Sequence, residues 1–171
     1  MLDWLMREQD LGRAKNFLQE FFVRRLLFPK VYLDVNWNGK KVEVLAVDRT
    51  GNGDVHAVTI VYQGSDVEAA LETAIANVGL HDMPHFLYVA VVNDGTRTGR
   101  YVLPDPILKK SLAPDGIGRV GILYVDLSED DPQFQVRVIL KAERRRSSKE
   151  IFEIADQIMA TNTPNWENRE E

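Results

Sequence analysis

The chain has 171 residues, of which 44% are hydrophobic and 27% charged, and its 21 Lys and Arg against 26 Asp and Glu give a formal net charge of −5. This length and composition predict one globular domain with a full hydrophobic core. Because the sequence has no cysteine, disulfide frameworks, thiol catalysis and cysteine-based metal sites are excluded. Apolar runs have only strand length and the N-terminus is acidic, so we expect a cytoplasmic protein without membrane contact.

The first part of the chain predicts a helix followed by three strands. Apolar residues recur at helical spacing over residues 10–27, and Pro29 follows directly. Apolar and polar residues then alternate over residues 31–37, and Asn38-Gly39 favours a tight hairpin turn. The segments KKVEVLAVD and VHAVTIVYQ are largely apolar on both strand faces. A three-strand meander is therefore predicted.

The second part alternates helices and strands. The capping box at residues 65–68 opens a predicted helix, and HFLYVAVVN is a predicted buried strand. Residues 93–118 are rich in Gly and Pro, which predicts a long loop that is either functional or mobile. Two more strands, RVGILYVDL and FQVRVIL, precede a final capped helix, and residues 161–171 form a predicted polar tail.

These elements predict an α/β (α+β) domain in which a mixed central sheet is flanked by helices. The predicted order is α-βββ-α-β-ββ-α, in one domain whose core runs from about residue 10 to residue 160. Over residues 10–92 this order resembles the core of the PD-(D/E)XK nuclease-like superfamily, the restriction-endonuclease-like fold. The hairpin GKKVEVLAVDRTGNGDVHAVTIVYQG is similar to the metal-binding hairpin of that family.

In that family, a carboxylate on one strand faces a Glu-x-Lys on the next. The resemblance puts Glu43 at the first carboxylate position, while Thr59 and Val61 stand where the second acid and the lysine would be. Thr59 and Val61 can neither complete a site for Mg²⁺ or Mn²⁺ nor position a water molecule. We therefore assign no catalytic residue, metal or cofactor, and expect a non-catalytic binding or regulatory module with a protein or nucleic-acid partner.

Two alternatives stay open. A divergent metal-dependent nuclease would use Glu20, Glu43 and Asp48 with Mg²⁺ or Mn²⁺. The element order and the acidity also resemble the type III secretion chaperones, which implies a homodimer that binds an extended segment of a partner. Both resemblances concern architecture, and architecture alone does not establish function.

Charge is unevenly distributed near the last helix. Residues 137–149 contain six basic side chains and one acidic side chain. Arginines beside the free backbone N–H groups of a helix N-terminus predict contact with an anion or a nucleic acid. The residues of this candidate site are Arg144, Arg145, Arg146 and Lys149. An ordinary solvated strand end explains the same charges.

His81 and His85 lie four residues apart, but Pro84 forbids the helix that would aim both at one metal, so neither is assigned as a ligand.

Overall fold

A computed structural model describes residues 2–48, 53–62, 69, 72–73, 76, 83–93, 119–145 and 148–167, with residues 2–7 and Tyr62 described by their backbone. Helix α1 spans Leu2–Glu20 and continues into a π-helical stretch, Phe21–Arg25. The strands are β1 Lys30–Trp37, β2 Lys40–Val47, β3 Val55–Tyr62, β4 Phe86–Asn93, β5 Gly121–Asp126, β6 Val136–Leu140 and β7 Trp166–Glu167. Helix α2 spans Pro132–Gln135 and helix α3 spans Lys149–Thr161.

All these strands form one seven-stranded sheet with the order β6-β5-β4-β3-β2-β1-β7. Strands β1, β2 and β3 form an antiparallel meander, β3, β4 and β5 are parallel, and β6 pairs antiparallel with β5. The predicted mixed sheet flanked by helices is confirmed. The connection between parallel β3 and β4 is helical at residues 69, 72–73 and 76, as predicted. The capping box at 65–68 lies outside the described residues.

The sheet separates two hydrophobic clusters. One lies against α3 and includes Trp37, Tyr124 and Ile151, and the other lies against α1 and includes Leu18 and Phe22. Because helices cover both faces, the central strands are apolar on both sides, as their sequences predict. No helix in the described ranges is long and apolar enough to cross a bilayer.

Strand β1 changes face in its middle. Val31 and Leu33 join the cluster on the α1 side, whereas Val35 and Trp37 join the cluster on the α3 side. The simple alternation of the sequence predicts one shared face. The backbone of Asp34 has a φ of 54°, a left-handed conformation that breaks the regular pleat and inverts the pattern.

Several boundaries differ from the predicted ones. Helix α1 begins at Leu2 rather than near residue 10, and its regular part ends at Glu20. The tail predicted over 161–171 contributes β7, because the N–H of Asn165 donates to the carbonyl of Val31 (2.8 Å) and Trp166 packs on the α1-side cluster. Residues 94–118 of the predicted long loop lie outside the described residues.

Candidate functional site

The hairpin of β2 and β3 has the register that the sequence count predicts. Val44 pairs with Val58, so the next position along β2 brings Glu43 level with Thr59. Burial raises the pKa of the Glu43 carboxyl, although the backbone N–H of Ile60 donates a hydrogen bond to it. Glu43 Oε2 is buried without a hydrogen-bond partner. This carboxyl therefore resists ionisation in an apolar environment, which does not favour binding of a hard divalent cation.

The other two acids of the nuclease alternative lie elsewhere. Glu20 pairs with Arg24 and faces residues near β6, which is separated from β2 by three strands. Asp48 lies at the end of β2, where its Oδ2 is 3.3 Å from His56 Nε2. The structure therefore does not gather Glu20, Glu43 and Asp48 around one point. Within the described ranges, no three His, Asp or Glu side chains are arranged to hold a metal.

The predicted basic site is largely engaged within the chain. Arg144 makes a two-point ion pair with Asp54, through Nε (2.7 Å) and Nη2 (2.8 Å). The Arg144 guanidinium holds the pKa of the Asp54 carboxyl below its usual value. Arg145 is only 7% exposed, and its Nη1 donates to the carbonyl of Met83 (2.9 Å). These two arginines thus hold the segment before α3 against the start of β3 and the approach to β4.

The remaining members of that site are less constrained. Lys149, at the start of α3, has an 89% exposed side chain and forms an ion pair with Glu153 (3.7 Å). Arg146 lies outside the described residues. The helix start itself is capped by Ser148, whose hydroxyl accepts from the N–H of Ile151. Of the three described basic residues, Lys149 has the most exposed side chain, because the Arg144 side chain is 43% exposed and Arg145 is buried.

A buried polar row crosses three strands on the α1 side. His56 Nδ1 lies 3.1 Å from the hydroxyl of Tyr88, and the opposite ring nitrogen faces Asp48. The imidazole stacks on the ring of Phe86, with 4.2 Å between the ring centroids and an angle of 7° between the planes. The ring of Phe28 also packs against it, with 4.7 Å between the centroids. Burial lowers the pKa of His56 to about 4. The ring is therefore neutral at physiological pH.

A neutral imidazole has one donor and one acceptor. His56 Nδ1 meets the Tyr88 hydroxyl, whereas Nε2 faces Asp48 at 3.3 Å and is buried without a hydrogen bond. We assign the ring proton to Nε2, on the side of the Asp48 carboxylate, so that the Tyr88 hydroxyl donates to Nδ1. Burial also raises the pKa of Tyr88 well above its usual value. Tyr88 therefore keeps its proton and is a poor nucleophile, and the row serves to fix the position of its ring. Sequence analysis missed the row because it depends on the parallel register of β3 and β4.

The fixed ring of Tyr88 faces the β6 end of the sheet, where exposed apolar side chains are concentrated. We call this region the edge surface and define it by the four exposed large hydrophobic residues of the described chain, which are Leu26, Leu27, Phe134 and Val138. Two of them precede β1, one belongs to α2 and one belongs to β6. Strand β6 ends the sheet and pairs only with β5 among the described strands.

Two pockets indent the edge surface and share Phe21. The larger, of about 550 Å³, is lined by Phe17, Glu20, Phe21, Arg24, Arg25, Pro132, Gln133, Gln135 and Val136. The smaller, of about 210 Å³, is lined by Phe21, Leu26, Tyr88, Leu123, Val138, Lys141 and Ala142. Among the residues the structure describes, no carboxylate forms an ion pair with Arg25 or Lys141. Positive charge therefore borders an apolar surface.

Comparisons with known proteins bear on the fold. No protein-family model matches the chain, and no curated protein matches it by sequence. A solved structure, that of a protein of unknown function from Silicibacter pomeroyi, is similar with a TM-score of 0.53 and 16% identity, over 88% of this chain and 84% of the other. At this identity the likeness shows a shared mixed α/β fold that extends over most of both chains.

Proposed function

We propose that the chain is a non-catalytic binding module that holds an extended segment of a partner protein against the edge surface. The observation that carries this proposal is the location of the exposed apolar side chains. Of the four large ones in the described chain, Leu26 and Val138 line the smaller pocket, and Phe134 lies between two residues that line the larger pocket, Gln133 and Gln135. Contiguous exposed apolar surface rimmed by polar groups is typical of a binding site, whereas scattered single residues are not.

The catalytic alternative has less support. Thr59 lies level with Glu43, and Val61 occupies the position of the family's lysine, so the hairpin lacks an acid and a general base. We therefore propose that the chain keeps a scaffold resembling the PD-(D/E)XK nuclease-like fold without its chemistry. Of the described basic residues near α3, Arg144 and Arg145 are engaged within the chain, which favours a protein partner over nucleic acid.

The geometry of β6 favours an extended occupant. A free strand edge offers backbone groups to an added strand, and pockets beside it accept alternate side chains. The β5–β6 ladder shifts register between Ile122 and Leu123, which marks a bulge near Ile139. A bulge limits regular strand addition to about the first half of β6. Side chains inserted into the two pockets would therefore supply much of the binding free energy.

Selection of short random peptides displayed on phage tests this proposal. We expect wild-type protein to select apolar sequences that bind at least about tenfold more weakly to Val138→Lys, because a charge at the pocket wall must be desolvated. Ala160→Lys, an exposed position on α3, is the matched control and should bind like the wild type. Affinities would be measured by fluorescence polarisation.

Three results would contradict the proposal. Selection of no peptide whose binding depends on Val138 would remove the edge surface as a partner site. Self-association that Val138→Lys abolishes would identify a second copy as the occupant and favour the chaperone-like dimer. Cleavage of DNA or RNA in Mg²⁺ or Mn²⁺ that Glu43→Ala abolishes would instead establish the divergent nuclease.

A further inference from the structure

We infer that the smaller pocket of the edge surface recognises a bulky apolar side chain that has a carboxylate beside it in the partner segment. This inference rests on the proposed function and specifies the chemistry of the partner. The smaller pocket has a volume of about 210 Å³, several times the roughly 30 Å³ that a water molecule occupies in the liquid. The pocket therefore has the size of a side chain.

The lining of this pocket selects an apolar group. Five of its seven residues are Phe21, Leu26, Leu123, Val138 and Ala142, and the ring of Tyr88 adds an aromatic wall. Leu123 is fully buried beneath the pocket, whereas Leu26 and Val138 are 43% and 44% exposed at its sides. An apolar ligand group would thus cover the two exposed side chains and contact a floor that is already buried.

Two features of the chain form the pocket in advance. The hydrogen bond to His56 fixes the ring of Tyr88. Gly121 lets that ring approach the segment after β6, because a Cβ at this position would lie 2.8 Å from Tyr88 Cδ1 and 2.7 Å from the backbone nitrogen of Ala142. A preformed pocket binds without an additional ordering cost in the protein.

Charge at the rim selects the neighbouring group. Lys141 lines the pocket and is exposed, and within the described ranges no acid pairs with it. The nearby Glu143 is engaged with Arg119 (3.7 Å). The guanidinium of Arg25 lies over the ring of Phe21 (5.0 Å) and donates to the carbonyl of Val136 (2.6 Å), and no described carboxylate forms an ion pair with it. A carboxylate beside the apolar group would complement both charges.

The same chemistry occurs in peptides and in free hydrophobic carboxylic acids. The experiment therefore compares a display-selected peptide in two forms that differ only in Glu or Gln beside its apolar anchor, and adds hexanoate and hexanamide as free competitors. The proteins are wild type, Lys141→Met and, as the matched control, Lys149→Met. The readout is fluorescence polarisation at low ionic strength, where a solvent-exposed charge pair is least screened.

We expect wild type and Lys149→Met to bind the Glu peptide about fivefold to tenfold more tightly than the Gln peptide. On Lys141→Met this ratio should fall to about one, because the ammonium that distinguishes the two peptides is absent. Hexanoate should compete better than hexanamide for binding to wild type and to Lys149→Met.

Equal binding of the Glu and Gln peptides by the wild type, with binding still dependent on Val138, would overturn this inference and leave the proposed function standing. The absence of any Val138-dependent peptide binding would overturn both. Lys141-dependent binding of hexanoate without peptide binding would overturn the inference as stated and identify a small-molecule site. A Glu preference that persists in Lys141→Met would place the acidic contact elsewhere and would also overturn it.

Discussion

Two regions of the sheet differ in whether their charged and polar side chains have partners within the chain. Where β2 ends and β3 and β4 begin, the acids, histidines and arginines are bonded to one another or to backbone groups. We call this region the paired end, and its members are Asp48, Asp54, His56, His85, Arg144 and Arg145. At the edge surface, apolar side chains are exposed and the cations Arg25 and Lys141 have no carboxylate partner among the described residues.

The difference indicates where a ligand would gain most. Arg144, bound to Asp54 at two points, would have to give up that pair before it could bind an external anion, which offsets most of the gain. Lys141 loses only water on binding a carboxylate. Charge that is plentiful in the sequence is therefore a weaker guide to a binding site than charge without an internal partner.

The paired end should make stability depend on pH. The pKa of His56 falls from 6.5 in the unfolded chain to about 4 in the folded protein, chiefly because the ring is buried. Between these values the unfolded chain binds a proton that the folded protein excludes, so stability decreases as pH falls from about 6.5 to about 4 and then levels off. The expected loss is about 3 kcal/mol. The pKa of His85 is lowered in the same direction.

Urea unfolding at a series of pH values measures this loss, and the ring-proton NMR signal of His56 reports its pKa directly. In His56→Gln the unfolding free energy should fall less steeply as pH decreases, because only the contribution of His85 remains. A stability that stays level from pH 7 to pH 4.5, or a His56 pKa near that of a free histidine, would show that the polar row is not buried as described.

The two arginines of the paired end provide a graded comparison. Arg145→Met removes the donor to the buried carbonyl of Met83 and should cost about 2 kcal/mol of unfolding free energy. Arg144→Met breaks an ion pair with Asp54, but the Arg144 side chain is 43% exposed, so solvent screening limits the cost to less than about 1 kcal/mol. Chemical denaturation of the two variants checks the order. The reverse order would mean that the ion pair, rather than the buried donor, anchors the segment before α3.

Much of the fold could be predicted because the signals are local. Asn38 and Gly39 have φ values of 49° and 87°, the left-handed conformations that an Asn-Gly hairpin turn requires. Helix α3 buries Ile151, Ala155 and Ile158, which recur at the three- and four-residue spacing of one helix face. The β7 strand could not be predicted, because two residues carry no periodicity and their pairing depends on the distant edge of β1.

The candidate site was less predictable from the sequence, because most of its contacts join residues that are far apart along the chain. That Glu43 lies opposite Thr59 can be predicted by counting residues through one turn, because the turn of an antiparallel hairpin fixes the strand register. The contact of His56 with Tyr88 needs the register of parallel strands joined by a long crossover, which no local count supplies. The sequence shows that Arg144 and Arg145 are charged, but their partners lie 90 and 62 residues away.

The edge surface should contribute little to folding, which a matched pair on β6 can test. Val136 is 1% exposed and Val138 is 44% exposed, although the two side chains are only two positions apart. Val136→Ser should cost about 2 kcal/mol because it removes buried apolar contacts and buries a hydroxyl, whereas Val138→Ser should change unfolding free energy by no more than about 0.5 kcal/mol. A loss at Val138 as large as that at Val136 would mean that the chain itself covers Val138. The edge surface would then be core, and the two regions would not differ as described.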